Sequence, residues 1–498
     1  MDNIAPNCVV CSTDFVIDER DLTYYEKREV PAPTLCPKCR LKKRLSFRNE
    51  RKLHNRKSDL SGDAIVSNIR PDAPFPVYHV DEWHQQGFDV PEMDYDAEKS
   101  FFDQLYELWK VAPRMHKASA GNEDNSEYSN HCGNCRNCYF IFNSEEDEDC
   151  MYLRFGDKCT DCVDSTNILN SELCLECINV KNCYNVKFSD DCDNCSDSAF
   201  LRNCRGMRNS MFCYDMERQE YCLFNEKLGK EKYEEKMKEY GLDSYENLER
   251  CKKLWEDFAA KWPKIRHIIL NSENCSGESI YNSRNSDDCY NVSDLEDCRY
   301  VLNSVGVKDS YDFYAYGMKT ELNYECVTMA YCYDVKFCSY LMHSSFCEYC
   351  ETCWKCENCF GCIGLKDKKF CILNKQYSEE EYFEMMAKIK GEMKEYGEFF
   401  PEKFSLFPYE DTLAQDYFPI EVPVAEMKEH PGVLHVDQIP DVIGEDISDK
   451  TYWCGVMNKP FKFQKNEIAF YKKMGVALPR TSFEARYLSR NELIPFPY

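Results

Sequence analysis

The residues best suited to chemistry are four cysteines near the start of the chain, arranged as two Cys-x-x-Cys pairs. The first pair is Cys8 and Cys11, and the second pair is Cys36 and Cys39. A tetrahedral zinc ion takes four soft ligands, and each pair offers two thiolates from one tight turn. Two such pairs separated by a loop of this size therefore predict one structural zinc site. The alternative is that the four side chains only pack the interior.

The segment that follows the second pair is strongly basic. Pro37 suits the first turn of a helix, and we predict a helix from about Pro37 to Lys57. From Lys38 to Lys57 there are ten Lys or Arg residues and one acid, Glu50. Because clustered cations bind phosphate, this helix predicts docking on RNA, DNA or the ribosome; the alternative is a solvated helix face. The candidate nucleic-acid-binding residues are Lys38, Arg40, Lys42, Lys43, Arg44, Arg48, Arg51 and Lys52.

The middle of the chain carries cysteines at a spacing that neither a helix nor an ordinary strand explains. The protein has 33 cysteines, and the fourteen from Cys132 to Cys222 all lie a multiple of three residues apart. Asn or Asp often comes directly before this position, as at Asn182 and Asn194. A period of three is neither the 3.6 of an amphipathic helix nor the 2 of a strand. We predict a Cys-rich β-solenoid with thiols facing a narrow interior and Asn and Asp at its corners.

A second period predicts the coil length. Cysteines 21 residues apart recur in two blocks of this region, as in Cys162/Cys183/Cys204, Cys332/Cys353 and Cys338/Cys359. Since 21 residues are seven triplets, we predict coils of 21 residues. The three-residue phase slips once between Tyr311 and Tyr324, which predicts a bulge or loop there.

Six cysteines of the second block follow one another at every third residue. They are Cys347, Cys350, Cys353, Cys356, Cys359 and Cys362. Cys-x-x-Cys-x-x-Cys spacing is used for iron–sulfur ligation, so a second metal site or cluster is one interpretation. Free cysteine is also a small, often buried hydrophobe. Because Ser, Val and Leu fill the same phase elsewhere, we favour packing.

The last part of the chain repeats the first part at a shift of 446 residues. Cys8 aligns with Cys454, whereas the other three ligand positions align with Met457, Ser482 and Ala485. One thiol cannot supply the four ligands of a structural zinc ion. We therefore predict a metal-free copy of the zinc module, held together by its apolar residues.

These patterns divide the chain into seven segments. They are a zinc-ribbon module with the basic helix (1–58), an α+β connector (59–131), a first Cys-rich solenoid block (132–226), a helical insertion (227–274), a second Cys-rich solenoid block (275–376), a helix with a Pro-rich acidic linker (377–450) and a degenerate zinc-ribbon-like module (451–498). The predicted fold class is mixed: a β-solenoid with helical insertions, an N-terminal zinc-ribbon or treble-clef module, and a degenerate C-terminal copy.

The composition excludes several classes of protein. Of the 498 residues, 62 are Lys or Arg and 88 are Asp or Glu, and the formal net charge of −26 excludes a globally basic nucleic-acid coat. No apolar run reaches the roughly 18 to 20 residues of a membrane-spanning helix, and the first residues are unlike a secretory signal. We therefore expect a cytoplasmic protein with reduced thiols. Catalytic motifs of the common types are missing from the sequence, which favours a protein without enzymatic activity.

The sequence resembles an uncharacterised Cys-rich zinc-ribbon family that is abundant in candidate-phyla bacteria. The resemblance is carried by the two Cys-x-x-Cys pairs, the Arg-Asn-Glu-Arg run at 48–51, the Asn-Cys triplets and the turn that begins at Cys371. It spans nearly the whole chain. It implies zinc in the first module and an intracellular bacterial setting, but it brings no reaction and no catalytic residue.

Three functions stay open at this point. The first is a non-enzymatic zinc-binding scaffold that docks on nucleic acid or the ribosome through its basic helix and offers the solenoid surface to protein partners. The second is a metal–thiolate or iron–sulfur redox protein that uses the solenoid cysteines. The third is a protein–protein adaptor with no nucleic-acid role.

Overall fold

The structure, a computed structural model, describes residues 3–85, 88–119, 121–263, 268–315, 323–330, 333–337, 339–342, 344–394, 396–421, 432–444 and 447–498. The chain forms two compact units. The first unit comprises Met1–Lys117, Ile265–Ile420 and Pro495–Tyr498, and the second unit comprises Ala118–Lys264 and Glu421–Ile494. Each unit therefore combines one stretch of solenoid with one terminal module. Among the described helices, none has the length and apolar character needed to cross a membrane.

Most of the regular elements are short. In the described part of the chain, helices α1 to α10 span Glu19–Lys27, Pro37–Leu45, Val80–Gln85, Phe101–Val111, Lys230–Met237, Tyr245–Ala259, Glu379–Glu392, Leu413–Tyr417, Lys465–Met474 and Phe483–Asn491. Strands β1 to β17 span His54–Lys57, Ala64–Ser67, Val77–Tyr78, Arg114–Met115, Glu123–Asp124, Ser129–Asn130, Cys135–Arg136, Ile141–Phe142, Arg154–Asp157, Thr166–Leu169, Ile178–Lys181, Tyr184–Lys187, Asp190–Asp193, Ser196–Arg202, Met211–Tyr214, Cys222–Leu223 and Glu226–Lys227. Strands β18 to β31 span Ile269–Leu270, Glu273–Tyr281, Arg284–Ser293, Leu302–Val305, Thr328–Ala330, Tyr340–Met342, Ser345–Glu348, Cys353–Trp354, Glu357–Phe360, Lys369–Ile372, Lys375–Gln376, Val433–His435, Thr451–Cys454 and Lys459–Phe461.

The solenoid strands pair in parallel with strands one coil further along. Thr166 of β10 lies opposite Ile178 of β11, and Ile178 lies opposite Asp190 of β13. The same step of twelve residues recurs in the first unit, where Tyr290 lies opposite Leu302. The β-solenoid and its three-residue cadence are confirmed, but the predicted coil of 21 residues is wrong, because one coil has twelve residues. Since 21 and 12 are both multiples of three, cysteines 21 residues apart share the inward phase without being stacked.

The corners of the coils are residues in the left-handed backbone conformation. Asn179, Asn182 and Asn185, each three residues after the last, have φ angles of 54°, 53° and 51°. Asn and Asp adopt this conformation more readily than most residues. Asn182 stands directly before the inward-facing Cys183, as the corner interpretation predicts. Four corners per twelve residues bring the chain back to its starting direction.

Corner side chains of successive coils bind one another. Asn167 donates from Nδ2 to Oδ1 of Asn179 at 2.8 Å, and Asn179 donates in the same way to Asp191 at 3.0 Å. Asn can both donate and accept, whereas an ionised carboxylate only accepts. This ladder of side-chain hydrogen bonds therefore runs from one Asn corner to the next and ends at an Asp corner.

Thiols fill the interior of the solenoid. Cys159 is fully buried, and its Sγ lies 3.4 Å from the carbonyl oxygen of Asp157 and 3.3 Å from that of Ile168. Burial raises the pKa of the Cys162 thiol well above its ordinary value, so this thiol stays a neutral donor. The inward orientation of the sulfur atoms is confirmed for the described solenoid cysteines, although Cys275 is only half-buried.

The second solenoid block contains the predicted slip of phase. Tyr311 lies opposite Tyr324, thirteen residues further on, so one coil holds an extra residue. Residues 316–322 of this coil lie outside the described residues, as do Cys332 and Cys338, two of the cysteines that suggested the coil length.

The helix predicted from Pro37 to Lys57 is too long. Helix α2 ends at Leu45, and His54–Lys57 forms strand β1. Between them, the Asn49 side chain accepts from the backbone N–H of Lys52 at 2.9 Å and donates to the carbonyl oxygen of Asn68 at 2.8 Å. These hydrogen bonds hold a turn that a continuous helix would not allow.

Substitution of Asn179 tests the corner rule. We expect Asn179→Ala to be less stable than Asn179→Gly by about 1 kcal/mol or more, because both lose the ladder but only alanine has a Cβ that opposes a left-handed φ. Urea denaturation of both variants measures the difference. Equal midpoints, or a more stable alanine variant, would contradict the assignment of this residue as a strained corner.

Candidate metal centre

The first Cys-x-x-Cys pair lies at the end of a short antiparallel hairpin. Bridges between Ile4 and Ile17 and between Asn7 and Asp14 hold its two arms. At the turn, the N–H of Cys8 donates to the carbonyl oxygen of Thr13 at 3.0 Å. The N–H of Ser12, which has a φ of 59°, donates back to the carbonyl oxygen of Cys8 at 2.9 Å. The turn presents both thiols of the pair on one side, as in a zinc knuckle.

The second pair is positioned by the start of helix α2. Cys36 is the N-cap residue, and Cys39 lies in the first turn. The structure brings the four predicted ligands together: all four Sγ atoms lie within 4.8 Å of one another. The Sγ atoms of Cys11 and Cys36 are 3.7 Å apart, and the N–H of Cys36 points at Sγ of Cys8 at 3.3 Å.

The surroundings of the hairpin thiols favour thiolates, the form that binds metal. Hydrogen bonds from the side chain and backbone of Thr13 lower the pKa of Cys11 to about 6. Burial acts to raise the pKa of Cys8, but backbone N–H groups, including those of Cys11 and Cys36, bring it below its ordinary value. Burial raises the pKa of Cys36 and Cys39. Four soft donors, two of them predisposed to ionise, fit a structural metal ion.

Two arginines of helix α2 bind one buried aspartate of the solenoid in the first unit. Arg40 donates from Nε to Oδ2 of Asp312 at 3.0 Å, and Nη1 of Arg44 lies 3.0 Å from Oδ1 of the same residue. All three side chains are at most 2% exposed. We call Arg40, Arg44 and Asp312 the arginine clasp, because they fix helix α2 to a corner of the solenoid.

The next two candidate arginines are also used inside the first unit. Arg48 donates to Glu50 at 2.9 Å, and both side chains are buried. Arg51 forms an ion pair with Asp416 at 2.5 Å. Arginines that neutralise buried carboxylates in this way are not displayed to a phosphate chain.

The lysines of the same segment differ in exposure. Lys38 and Lys42 are exposed, whereas Lys43 donates to the carbonyl oxygen of Phe399 at 2.9 Å. Lys52 is half-buried, and burial lowers its pKa to about 8. The eight predicted nucleic-acid-binding residues therefore do not share one exposed face, and their role in docking stays a prediction.

The C-terminal module repeats this geometry around one sulfur atom. In the second unit the backbone N–H and the hydroxyl of Ser482 both donate to Sγ of Cys454 at 3.4 Å, as the N–H of the aligned Cys36 does to Cys8. Cys454 is fully buried. Ser482 is the N-cap of α10, as Cys36 is of α2.

A second clasp lies in the second unit. Arg486 and Arg490, which align with Arg40 and Arg44, bind Asp164 at 2.8 Å and 3.1 Å. Like Asp312, Asp164 is buried and occupies a left-handed corner, with a φ of 52°. Reasoning from the sequence missed both aspartates. The available signal was the arginine pair, four residues apart, that recurs in both terminal modules.

The six clustered cysteines are all buried in the solenoid interior. Cys350 and Cys353 direct their Sγ atoms at backbone carbonyl oxygens 3.4 to 3.6 Å away, and burial raises the pKa of both. Among the described residues, the one group of three or more potential ligands that lies within 4.8 Å is that of Cys8, Cys11 and the second pair. The geometry of the six therefore gives no support to a second metal site.

Comparisons with known proteins do not indicate a function for this chain. No model of a protein family matches the chain, and no curated protein matches it significantly. Among solved structures, a candidate acetyltransferase from Desulfovibrio desulfuricans G20 is 10% identical over 61% of this chain and 80% of its own, with a TM-score of 0.10. A likeness at that score carries no argument about fold or activity.

Removal of the clasp carboxylate should loosen helix α2. Asp312→Asn leaves two buried arginines without a full counter-charge, and we expect a loss of about 3–5 kcal/mol in the free energy of unfolding. Asp309→Asn is the matched control, because Asp309 occupies the preceding left-handed corner but lies 4.0 Å from its cation, Lys27. Urea denaturation measures the free energy of unfolding, and amide hydrogen exchange of α2 measures whether the helix is loosened. Equal stability of the two variants would show that the clasp is dispensable.

The degenerate module should regain a metal site when its ligands are restored. The triple substitution Met457→Cys, Ser482→Cys and Ala485→Cys gives Cys454 three partners at positions aligned with the first module. We expect the bound metal to rise by one ion per chain, measured by cobalt titration with absorption spectroscopy. Adding Cys454→Ala to the triple variant should abolish the gain. An unchanged metal content in the triple variant would contradict the structural equivalence of the modules.

Proposed function

We propose that the protein is a zinc-binding scaffold without enzymatic activity. The observation that carries the proposal is the set of four thiols within 4.8 Å, built from a hairpin turn and the first turn of a helix. Closed sets of four protein ligands are typical of structural zinc, whereas catalytic zinc keeps one position open. Zinc supplies no reaction here; it ties the hairpin to helix α2, and the cytoplasm would keep its thiols reduced.

The scaffold role is supported by the way the metal module is joined to the solenoid. The arginine clasp links the helix that carries Cys36 and Cys39 to a solenoid corner. Arg299 of the solenoid adds a contact to helix α1, with its guanidinium 2.8 Å from Asp21. Zinc binding would therefore order a module that is already anchored, and the polar corner ladders would present a rigid surface to protein partners.

Docking on RNA, DNA or the ribosome is a second candidate function. It can involve fewer residues than the eight that the sequence suggested. Lys38 and Lys42 are exposed on helix α2 and form no ion pair with the described residues, so they are the cations best placed to meet phosphate. The buried arginines of the clasp reduce the support for a broad basic surface. A protein–protein adaptor without a nucleic-acid role is the third candidate.

Metal analysis of the purified protein tests the zinc site. We expect one zinc ion per chain in the wild type and in Cys275→Ser, a control that removes an accessible thiol outside the site. The double variant Cys11→Ser/Cys39→Ser should lose the ion, because two donors cannot complete the coordination shell. Zinc retained by the double variant, or iron with acid-labile sulfide in the wild type, would contradict the proposal.

Charge reversal of the exposed lysines tests nucleic-acid docking. If docking occurs, Lys38→Glu/Lys42→Glu should reduce retention on RNA or DNA at low salt, because phosphate contacts supply most non-specific affinity. Lys110→Glu, on helix α4, is the control for a general change of charge. Equal retention of both variants, or no retention of the wild type, would exclude docking through α2 and favour the adaptor.

A further inference from the structure

A cavity of about 460 Å³ lies in the first unit beside the candidate metal centre. Its walls come from the hairpin, helix α2, the solenoid and the segment 497–498. Cavities of a few hundred Å³ with apolar walls and a few polar groups are typical of small-molecule sites. The cavity shares Cys11 and Cys36 with the candidate metal centre and Arg44 with the arginine clasp.

Aromatic rings form much of the cavity wall. They are Phe15 from the hairpin, Tyr290 and Tyr300 from adjacent coils of the solenoid, and Tyr498. Tyr290 is half-buried, which leaves ring surface free. Tyr300 is also half-buried, but the guanidinium groups of Arg40 and Arg299 lie 5.2 Å and 5.0 Å from its ring centroid. Aromatic walls bind flat rings by stacking, with little dependence on the identity of the ring.

Two cations line the same cavity. Lys38 is exposed, and its Nζ lies 5.5 Å from the ring centroid of Tyr498. Arg44 is 1% exposed, and although Nη1 faces Asp312, its buried Nε has no hydrogen-bond partner among the described residues. A buried guanidinium N–H without a partner is costly. An anion that enters the cavity would satisfy it.

The acidic residues at the cavity are exposed and can accept hydrogen bonds from neutral polar groups of a ligand. Asp14 and Asp288 line it together with Thr13. Carboxylates accept hydrogen bonds from hydroxyl and amino groups. The wall thus combines ring surface, two cations and hydrogen-bond acceptors. These three features complement the base, the phosphate and the hydroxyl groups of a nucleotide.

We infer that this cavity binds a phosphate carried on a ring-bearing nucleoside, with the ring against Tyr290 and the phosphate between Lys38 and Arg44. The cavity has room for a nucleoside monophosphate. The inference assigns no ligand contact to the thiols of the candidate metal centre, and it is tested on protein whose metal content is measured separately.

Calorimetric titration of the full-length protein with three probes tests the inference. The probes are adenosine 5′-monophosphate, adenosine and inorganic phosphate. We expect the monophosphate to bind at least tenfold more tightly than either of the others, because only it engages both the rings and the cations. A monophosphate that binds no better than adenosine or phosphate would overturn the inference.

Substitutions in the cavity wall test where the ligand binds. Lys38→Ala should weaken monophosphate binding about tenfold, as expected for loss of a charge-assisted contact, while Lys42→Ala, also exposed on α2 but outside the cavity wall, should leave it unchanged. Tyr290→Leu should weaken binding of the monophosphate and of adenosine, whereas Tyr290→Phe should preserve both. Equal effects of Lys38→Ala and Lys42→Ala, or of the two Tyr290 variants, would contradict the assigned site.

Discussion

A left-handed residue at every third position is the constraint on which the rest of the structure depends. Each such residue turns the chain, and four of them close a coil of twelve residues. A coil of this length leaves room for four inward side chains, so the interior is narrow. Cysteine suits that space because it is small and apolar, and its thiol can donate to nearby carbonyl groups, as Cys159 does to Asp157 and Ile168. Backbone geometry therefore favours cysteine at the inward positions.

The corners also determine how the terminal modules attach. Asp312 in the first unit and Asp164 in the second unit are both corner residues, and each binds two arginines of a terminal helix. A buried ion pair of this kind is costly to break but adds limited net stability over a packed apolar contact. The ion pairs place each terminal helix against one particular buried corner aspartate.

Much of this architecture could be predicted from local sequence. The triplet phase and the Asn residues before the inward positions, such as Asn182, indicated the solenoid and its corners. The coil length could not be predicted from cysteine spacing, because every multiple of three preserves the inward phase. The candidate ligand set of Cys8, Cys11, Cys36 and Cys39 was visible because metal ligands of this type come in closely spaced pairs.

The role of the basic helix shows what local sequence cannot supply. Ten cations in 38–57 suggest a surface for phosphate, yet Arg40 binds a carboxylate 272 residues away in the chain. Nothing near Arg40 in the sequence identifies Asp312 as its partner. The cavity at Lys38 was equally hidden, because its wall is assembled from four separate segments.

Alkylation of native thiols, followed by mass spectrometry, tests most directly whether the solenoid interior holds the sulfur atoms. After metal removal under reducing conditions, Cys11, Cys39 and Cys275 should react, because they are the exposed or half-buried thiols among the described residues. Cysteines from 347 to 362 should stay unmodified until the protein is denatured. Modification of those solenoid cysteines at the rate of Cys11 in the native protein would contradict the account.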